Sequence, residues 1–298
     1  MRELTLFDLK KVDYHKDSEK LAQHLTAHCE NDNPMFFRVI VSYFLGKIAS
    51  YMRTEIRTHN HTYLPVNIYA VNLAPSGAGK TKAMNFLEEQ VCHLFFDRFK
   101  GEVLPYAAEK NMAKLAMQRA QQSGETEEYE LNKLYHEFKE SGQWLSSFDS
   151  ATPAALKQFR HKLLLANCGS LNLEIDEIGD NLTGNTDALS KLLELYDKGK
   201  LKESLVKNTK ENTRMSEVKG QTHCNLIMFG TPSSLLDGSK TEEEFIKMLE
   251  KGYARRCFFG FVPEVNCNLD LTAEDIYERN MSKSANQFVT DFAQTLLK

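Results

Sequence analysis

Apolar residues recur at helical spacing through residues 16–58, at Leu21, Leu25, Phe36, Val39, Ile40, Phe44, Ile48 and Met52. Asn33-Pro34 interrupts this run and predicts a second helix with Pro34 in its first turn. The polar stretch Thr58–Thr62 then leads to Val66–Leu73, a strand candidate. Gly77 and Gly79 follow, and helical character resumes over Thr81–Phe96. Residues 106–141 are charged and helix-prone, broken at Ser123-Gly124, which predicts two helices forming an insertion or arm. Beyond them the pattern predicts helix over Ala151–Leu165, a short strand over Leu171–Ile175 and helix over Ala188–Tyr196. Leu201–Lys219 alternates as a polar hairpin, and Asn225–Phe229 is an apolar strand. A helix over Glu242–Lys251, a last strand over Cys257–Val262 and a mostly helical Ala273–Leu297 complete the chain. Strands alternating with helices predict an α/β class with a largely parallel sheet flanked by helices. The expected division is an N-terminal helical region (1–65), a core domain (66–264) with the helical insertion at about 106–141, and a C-terminal helical segment (265–298).

Composition narrows the class. The 298 residues are 42% hydrophobic and 26% charged, as in ordinary soluble domains. A net charge of −4 means that nucleic acid would be met by a local basic surface and not by the molecule as a whole. The six cysteines form no Cys-x-x-Cys pair and lie in apolar stretches, as reduced core thiols do, which predicts a cytoplasmic setting. No signal-like N-terminus and no membrane-length apolar run is present, so no membrane partner is expected. His24, His28 and Cys29 share a helix face but have no further ligands at zinc spacing.

The strongest chemical signal is Ala74-Pro75-Ser76-Gly77-Ala78-Gly79-Lys80-Thr81, set between the first strand and a helix. Glycines let the loop backbone aim its N–H groups at phosphate oxygens, and the following helix N-terminus favours that charge. Lys80 suits the β- and γ-phosphates of ATP, and Thr81 suits Mg²⁺. Ala74 stands where such loops begin with glycine, a small change in volume.

Leu171-Asn-Leu-Glu-Ile-Asp176-Glu177 supplies the second half of the chemistry. Asp176 at a strand end is expected to hold the metal, and Glu177 to polarise the attacking water. Asn172 and Glu174 break the apolar run normal for a central parallel strand, so one face of this strand is expected to be wet or to carry a polar network. Asp149 with Asp180 is the rival pair, but no strand precedes it. Thr231 ends the strand Asn225–Phe229 and could sense the γ-phosphate; a turn role before Pro232 competes. Arg255 and Arg256 precede the last strand and could serve a neighbouring subunit's site. The competing reading is a surface pair, one of them bridged to Glu250.

The order APSGAGKT, FDSATPAALKQF, LNLEIDEIGD, LLELYDKGK, NLIMFGTPSSL, GYARRCFFGFVP resembles the P-loop ATPase (helicase) domain of phage and plasmid primase-helicase proteins, over roughly Ala70 to Pro263. The resemblance implies a RecA-like or superfamily 3-like P-loop NTPase that assembles as a hexameric ring. It implies ATP and Mg²⁺ as cofactors, and single-stranded DNA and other replication proteins as partners. If the chain is phage-encoded, its setting is the host cytoplasm. Lys80 and Thr81 match the nucleotide and metal residues, Asp176 and Glu177 the catalytic acids, and Arg255 or Arg256 the arginine before the last strand. No primase or zinc module is recognisable, and the helix-like pattern runs to Lys298, as in a piece of a longer protein.

Lys198–Gly220 holds seven basic residues against three acids. The turn Asn208–Asn212 would put Lys207, Lys210 and Arg214 near its tip, as a grip on DNA. The sequence therefore points to a nucleic-acid-dependent ATPase, a replicative helicase motor. The alternatives are a non-translocating switch, such as a helicase loader or a defence or signalling module, and a small-molecule kinase.

Overall fold

The computed structural model describes residues 14–139, 153–179, 186–201, 218–265, 272, 274 and 287–298. Helices α1 (Lys16–Cys29) and α2 (Pro34–Tyr51) come first. The break between them is built as the sequence predicts: Pro34 opens α2, and the Asn33 side chain accepts from the Phe36 N–H as its cap. The helical pattern does not continue to residue 58. Helix α2 stops at Tyr51, and β1 (Glu55–Arg57) pairs antiparallel with β2 (Tyr63–Pro65). The cause is Arg53. Its backbone is left-handed (φ 56°), and its guanidinium donates to the carbonyls of Asn167, Cys168 and Gln221. These carbonyls lie ahead of two later strands and turn the chain away from the helix axis.

The central strand β3 (Tyr69–Leu73) is buried at every residue. It leads into the loop and then a long helical run. This run comprises α3 (Lys80–Phe86), α4 (His93–Arg98) and α5 (Leu104–Ser123), joined by wide turns at Leu87–Val91 and Phe99–Val103. Gly124, left-handed at φ 77°, ends α5, and α6 (Glu127–Lys139) folds back on it. The expected arm is a packed helical pair: Leu115, Ala116 and Leu134 are buried, and Arg119 bridges Glu137 at 3.2 Å.

The remaining elements are α7 (Pro153–Leu165), β4 (Ser170–Ile175), α8 (Thr186–Lys198), β5 (His223–Gly230), α9 (Pro232–Leu235), α10 (Lys240–Met248), β6 (Cys257–Phe261) and α11 (Gln287–Thr295). The protein is thus α/β, with a four-stranded parallel sheet flanked by helices. Sheet order is β4-β5-β3-β6. No described helix is long and apolar enough to cross a membrane. Among the described residues, Cys29, Cys92, Cys168, Cys224 and Cys257 form no disulfide.

Helix α2 lies on one face of the sheet, inside the core, with Phe36, Phe37, Ile40, Tyr43 and Phe44 buried. This face carries the polar network that Asn172 and Glu174 predict. Asn225 donates to Asn172 at 2.7 Å and to Ser50 at 2.6 Å, and Ser50 bonds Ser170 at 2.9 Å. Lys47 bridges Glu174 at 2.9 Å. On the opposite face, Tyr69 and Tyr253 donate their hydroxyls to the Leu192 and Leu189 carbonyls of α8.

Candidate active site

All four strands of the sheet run the same way, so their C-terminal ends form one edge, where open parallel sheets place ligands. Strand β3 delivers the loop Ala74–Lys80 to that edge, β4 delivers Asp176 and Glu177, and β5 delivers Thr231. Because β5 lies between β3 and β4, Thr231 emerges between the loop and the acids. A cleft of about 420 Å³ is lined by the loop from Ala74 to Lys82, by Asp176, Glu177 and Thr231, and by Phe36, Asn72, Phe229 and Gly230.

The loop has the conformation that its glycines predict, with positive φ at Gly77 (87°) and Gly79 (85°). Both glycines line the cleft. The N–H groups of Gly77, Gly79 and Lys80 bond no backbone acceptor among the described residues. The Lys80 ammonium rests on the acid strand, donating to the Asp176 carbonyl at 2.9 Å and lying 3.7 Å from its carboxylate. The Asp176 side chain is 81% exposed and lines the cleft. Glu177 accepts from the Thr231 N–H at 3.4 Å and from its hydroxyl at 3.3 Å. Thr231 is therefore coupled to the second acid, beyond any turn role before Pro232.

The residues fit ATP with Mg²⁺. An anion needs N–H donors and a lysine, and the loop has both: N–H groups at Gly77, Gly79 and Lys80 without a backbone acceptor among the described residues, and the Lys80 side chain at the cleft. Magnesium bound through phosphates takes only one or two protein carboxylates, and Asp176 and Thr81, which line the same cleft, could supply such a set.

Other predicted residues are not brought to the cleft. Arg255 and Arg256 stand before β6, whose first residue Cys257 pairs with Tyr69, the first residue of β3. They sit at the opposite end of the sheet, on the order of 13 Å along the strands from the loop. Arg256 meets neither its own cleft nor Glu250. It is held bidentate by Asp197 at 3.0 and 2.5 Å, donates to the Gly252 carbonyl, and lies over the Tyr196 ring. This pairing holds the Asp197 carboxyl below its usual range. Arg255 is exposed. Lys207, Lys210 and Arg214, and the rival acids Asp149 and Asp180, lie outside the described residues.

Phe36, Asn72, Lys82, Phe229 and Gly230 also line the cleft and were not singled out by the sequence as site residues. Asn72 is fully buried, donates to the Phe36 carbonyl at 3.0 Å, and is opposite Gly260 in the sheet. A β-carbon at Gly260 would collide with the Asn72 side-chain oxygen, so this pair requires glycine. The available signal was a polar residue near the end of an otherwise apolar strand.

Comparison with protein-family models, with curated proteins and with solved structures returned no match.

Proposed function

We propose that this chain is an ATP-hydrolysing P-loop motor acting on single-stranded DNA. The supporting observation for hydrolysis is the meeting of the Gly-Lys-Thr loop, the Asp176-Glu177 pair and Thr231 around one cleft, from three adjacent strand ends. Bound there, ATP with Mg²⁺ supplies the transferable phosphoryl group and the neutralising cation. Lys80 would exchange its contacts with Asp176 for the β- and γ-phosphates. Thr81 and Asp176 would hold the metal, and Glu177 would orient the attacking water beside Thr231.

The DNA half of the proposal rests on the resemblance to phage helicase domains and on the basic segment Lys198–Gly220. In the same reading the chain forms a hexameric ring, with the exposed Arg255 facing a neighbour's cleft.

The test is ATP hydrolysis by the purified chain with and without single-stranded DNA, beside Lys80→Ala. Hydrolysis that DNA stimulates and that Lys80→Ala abolishes is expected, together with strand separation on a forked duplex. Equal hydrolysis in both proteins would remove the central claim. Hydrolysis without strand separation would point to a loader or signalling switch.

A further inference from the structure

The N-terminal helices grip the loop from outside. Asn31, in the turn between α1 and α2, donates from Nδ2 to the Ala78 carbonyl at 2.8 Å. Its Oδ1 accepts from the Asn33 N–H at 3.1 Å. Both ends of the amide are engaged, which fixes its orientation. The residue is only 5% exposed. Beside it, the Cys29 thiol donates to the Gly79 carbonyl at 3.6 Å. A β-carbon on Gly79 would lie 2.6 Å from Cys29 Cβ, so the turn is seated directly on the loop backbone.

A trans peptide is planar, with its C=O and N–H pointing in opposite directions. Pinning the Ala78 carbonyl to Asn31 therefore turns the Gly79 N–H away from Asn31, into the cleft. The Gly79 carbonyl is held by the Ala83 N–H at 2.9 Å, with the Cys29 thiol as a second, longer contact, and this turns the Lys80 N–H the opposite way. Neither N–H has a backbone acceptor among the described residues. These are the donors a phosphate group needs.

We propose that Asn31 is a positioning residue for nucleotide binding: it locks the Ala78–Gly79 peptide with its N–H aimed at phosphate. The proposal rests on reading the cleft as an ATP site. In that reading residues 29–33 belong to the nucleotide site, although they never touch the nucleotide.

The discriminating variant is Asn31→Asp. Aspartate keeps the acceptor for the Asn33 N–H but turns a carboxylate oxygen toward the Ala78 carbonyl. The dissociation constant of a fluorescent ATP analogue should rise about tenfold, the scale of one misdirected hydrogen bond. Both Asn31→Asp and Asn31→Ala should lower the melting temperature without nucleotide, because each leaves the buried Ala78 carbonyl without its donor, so affinities are compared at a temperature where every variant is folded. Lys80→Ala separates the two ideas. If wild type itself binds no analogue, the ATP reading fails and takes this proposal with it. If wild type binds, Lys80→Ala does not, and Asn31→Asp binds within twofold of wild type, the role of Asn31 alone is overturned. Should Asn31→Asp fail to fold, hydrogen exchange on the wild-type chain decides. The analogue should slow exchange across residues 29–36 in wild type and not in Lys80→Ala, and unchanged exchange in wild type would refute the clasp.

Discussion

Thr231 donates its backbone N–H and its hydroxyl to the Glu177 carboxylate, at 3.4 and 3.3 Å. The two residues follow adjacent parallel strands, with Ile175 of β4 in register with Met228 of β5. Both bonds exceed the usual hydrogen-bond length, so turning the carboxylate toward a water would break no strong contact with Thr231.

This geometry separates the effects of two substitutions. Glu177→Gln keeps shape and loses the charge, so ATP should still bind while turnover falls by roughly 10²-fold or more. Thr231→Val keeps the N–H and loses the hydroxyl, and a drop of about tenfold in kcat is expected, the scale of one hydrogen bond. Single-turnover rates and nucleotide affinity measured side by side check both. A crippled Asp180→Asn beside an active Glu177→Gln would move the base to the other acid.

The same strand β4 carries a second prediction. Lys47 is 1% exposed and bridges Glu174 beneath α2. Replacing Lys47 with Met should destabilise the fold by about 2–4 kcal/mol, because a largely but not fully buried carboxylate loses its partner. Lys47→Met combined with Glu174→Leu should recover most of that loss. Urea denaturation of the two variants checks the pair, and equal stability of the single and double variants would show that Glu174 finds another partner.

The polar face of β4 was legible because Asn172 and Glu174 alternate with Leu171, Leu173 and Ile175 in a strand expected to be apolar throughout. The loop, the acid pair and the break at Ser123-Gly124 were legible for a similar reason. Each is a short-range pattern whose meaning depends on adjacent residues. What escaped depends on contacts between distant segments. The hairpin β1–β2 exists because Arg53 finds three carbonyls more than a hundred positions away. Asn31 reaches Ala78 by the same kind of distant contact, and nothing in the local sequence marks it.

The arginine pair was half legible. Two arginines before a strand suggest a shared site, but only the structure divides them. Arg256 has its side chain 8% exposed and is engaged by Asp197, which remains partly in water. Arg256→Ala should therefore cost about 1–2 kcal/mol of stability. Arg255→Ala should leave the melting temperature unchanged. Any arginine acting across a subunit boundary is then Arg255, and mixing Arg255→Ala with Lys80→Ala should restore some hydrolysis. No restoration in a demonstrated mixed assembly would argue against a shared site.

Acid sensitivity should come in part from His161 in α7. Burial, with Arg119 as the next cause, pushes its imidazole down to about 4. Its Nδ1 is buried and has no hydrogen-bond partner among the described residues. Arg119, Arg160 and Lys162 all disfavour the cation, while Glu137 favours it. The unfolded chain binds this proton near pH 6.5, well above the folded value, so protonation favours unfolding. The stabilising contribution is complete above about pH 6.5 and is lost as pH falls toward 4, in total on the order of 3 kcal/mol. His223 is also lowered, by burial and then Arg53, and adds to the loss with the same sign. Carboxylates titrate in the lower part of this window, so the informative quantity is a difference between two proteins. His161→Leu removes the titrating group and keeps an apolar side chain in its place. Unfolding free energies measured from pH 7.0 to 4.5 should therefore fall less steeply for His161→Leu than for wild type. Parallel curves across that range would mean that His161 reaches its proton in the folded state as easily as in the unfolded one.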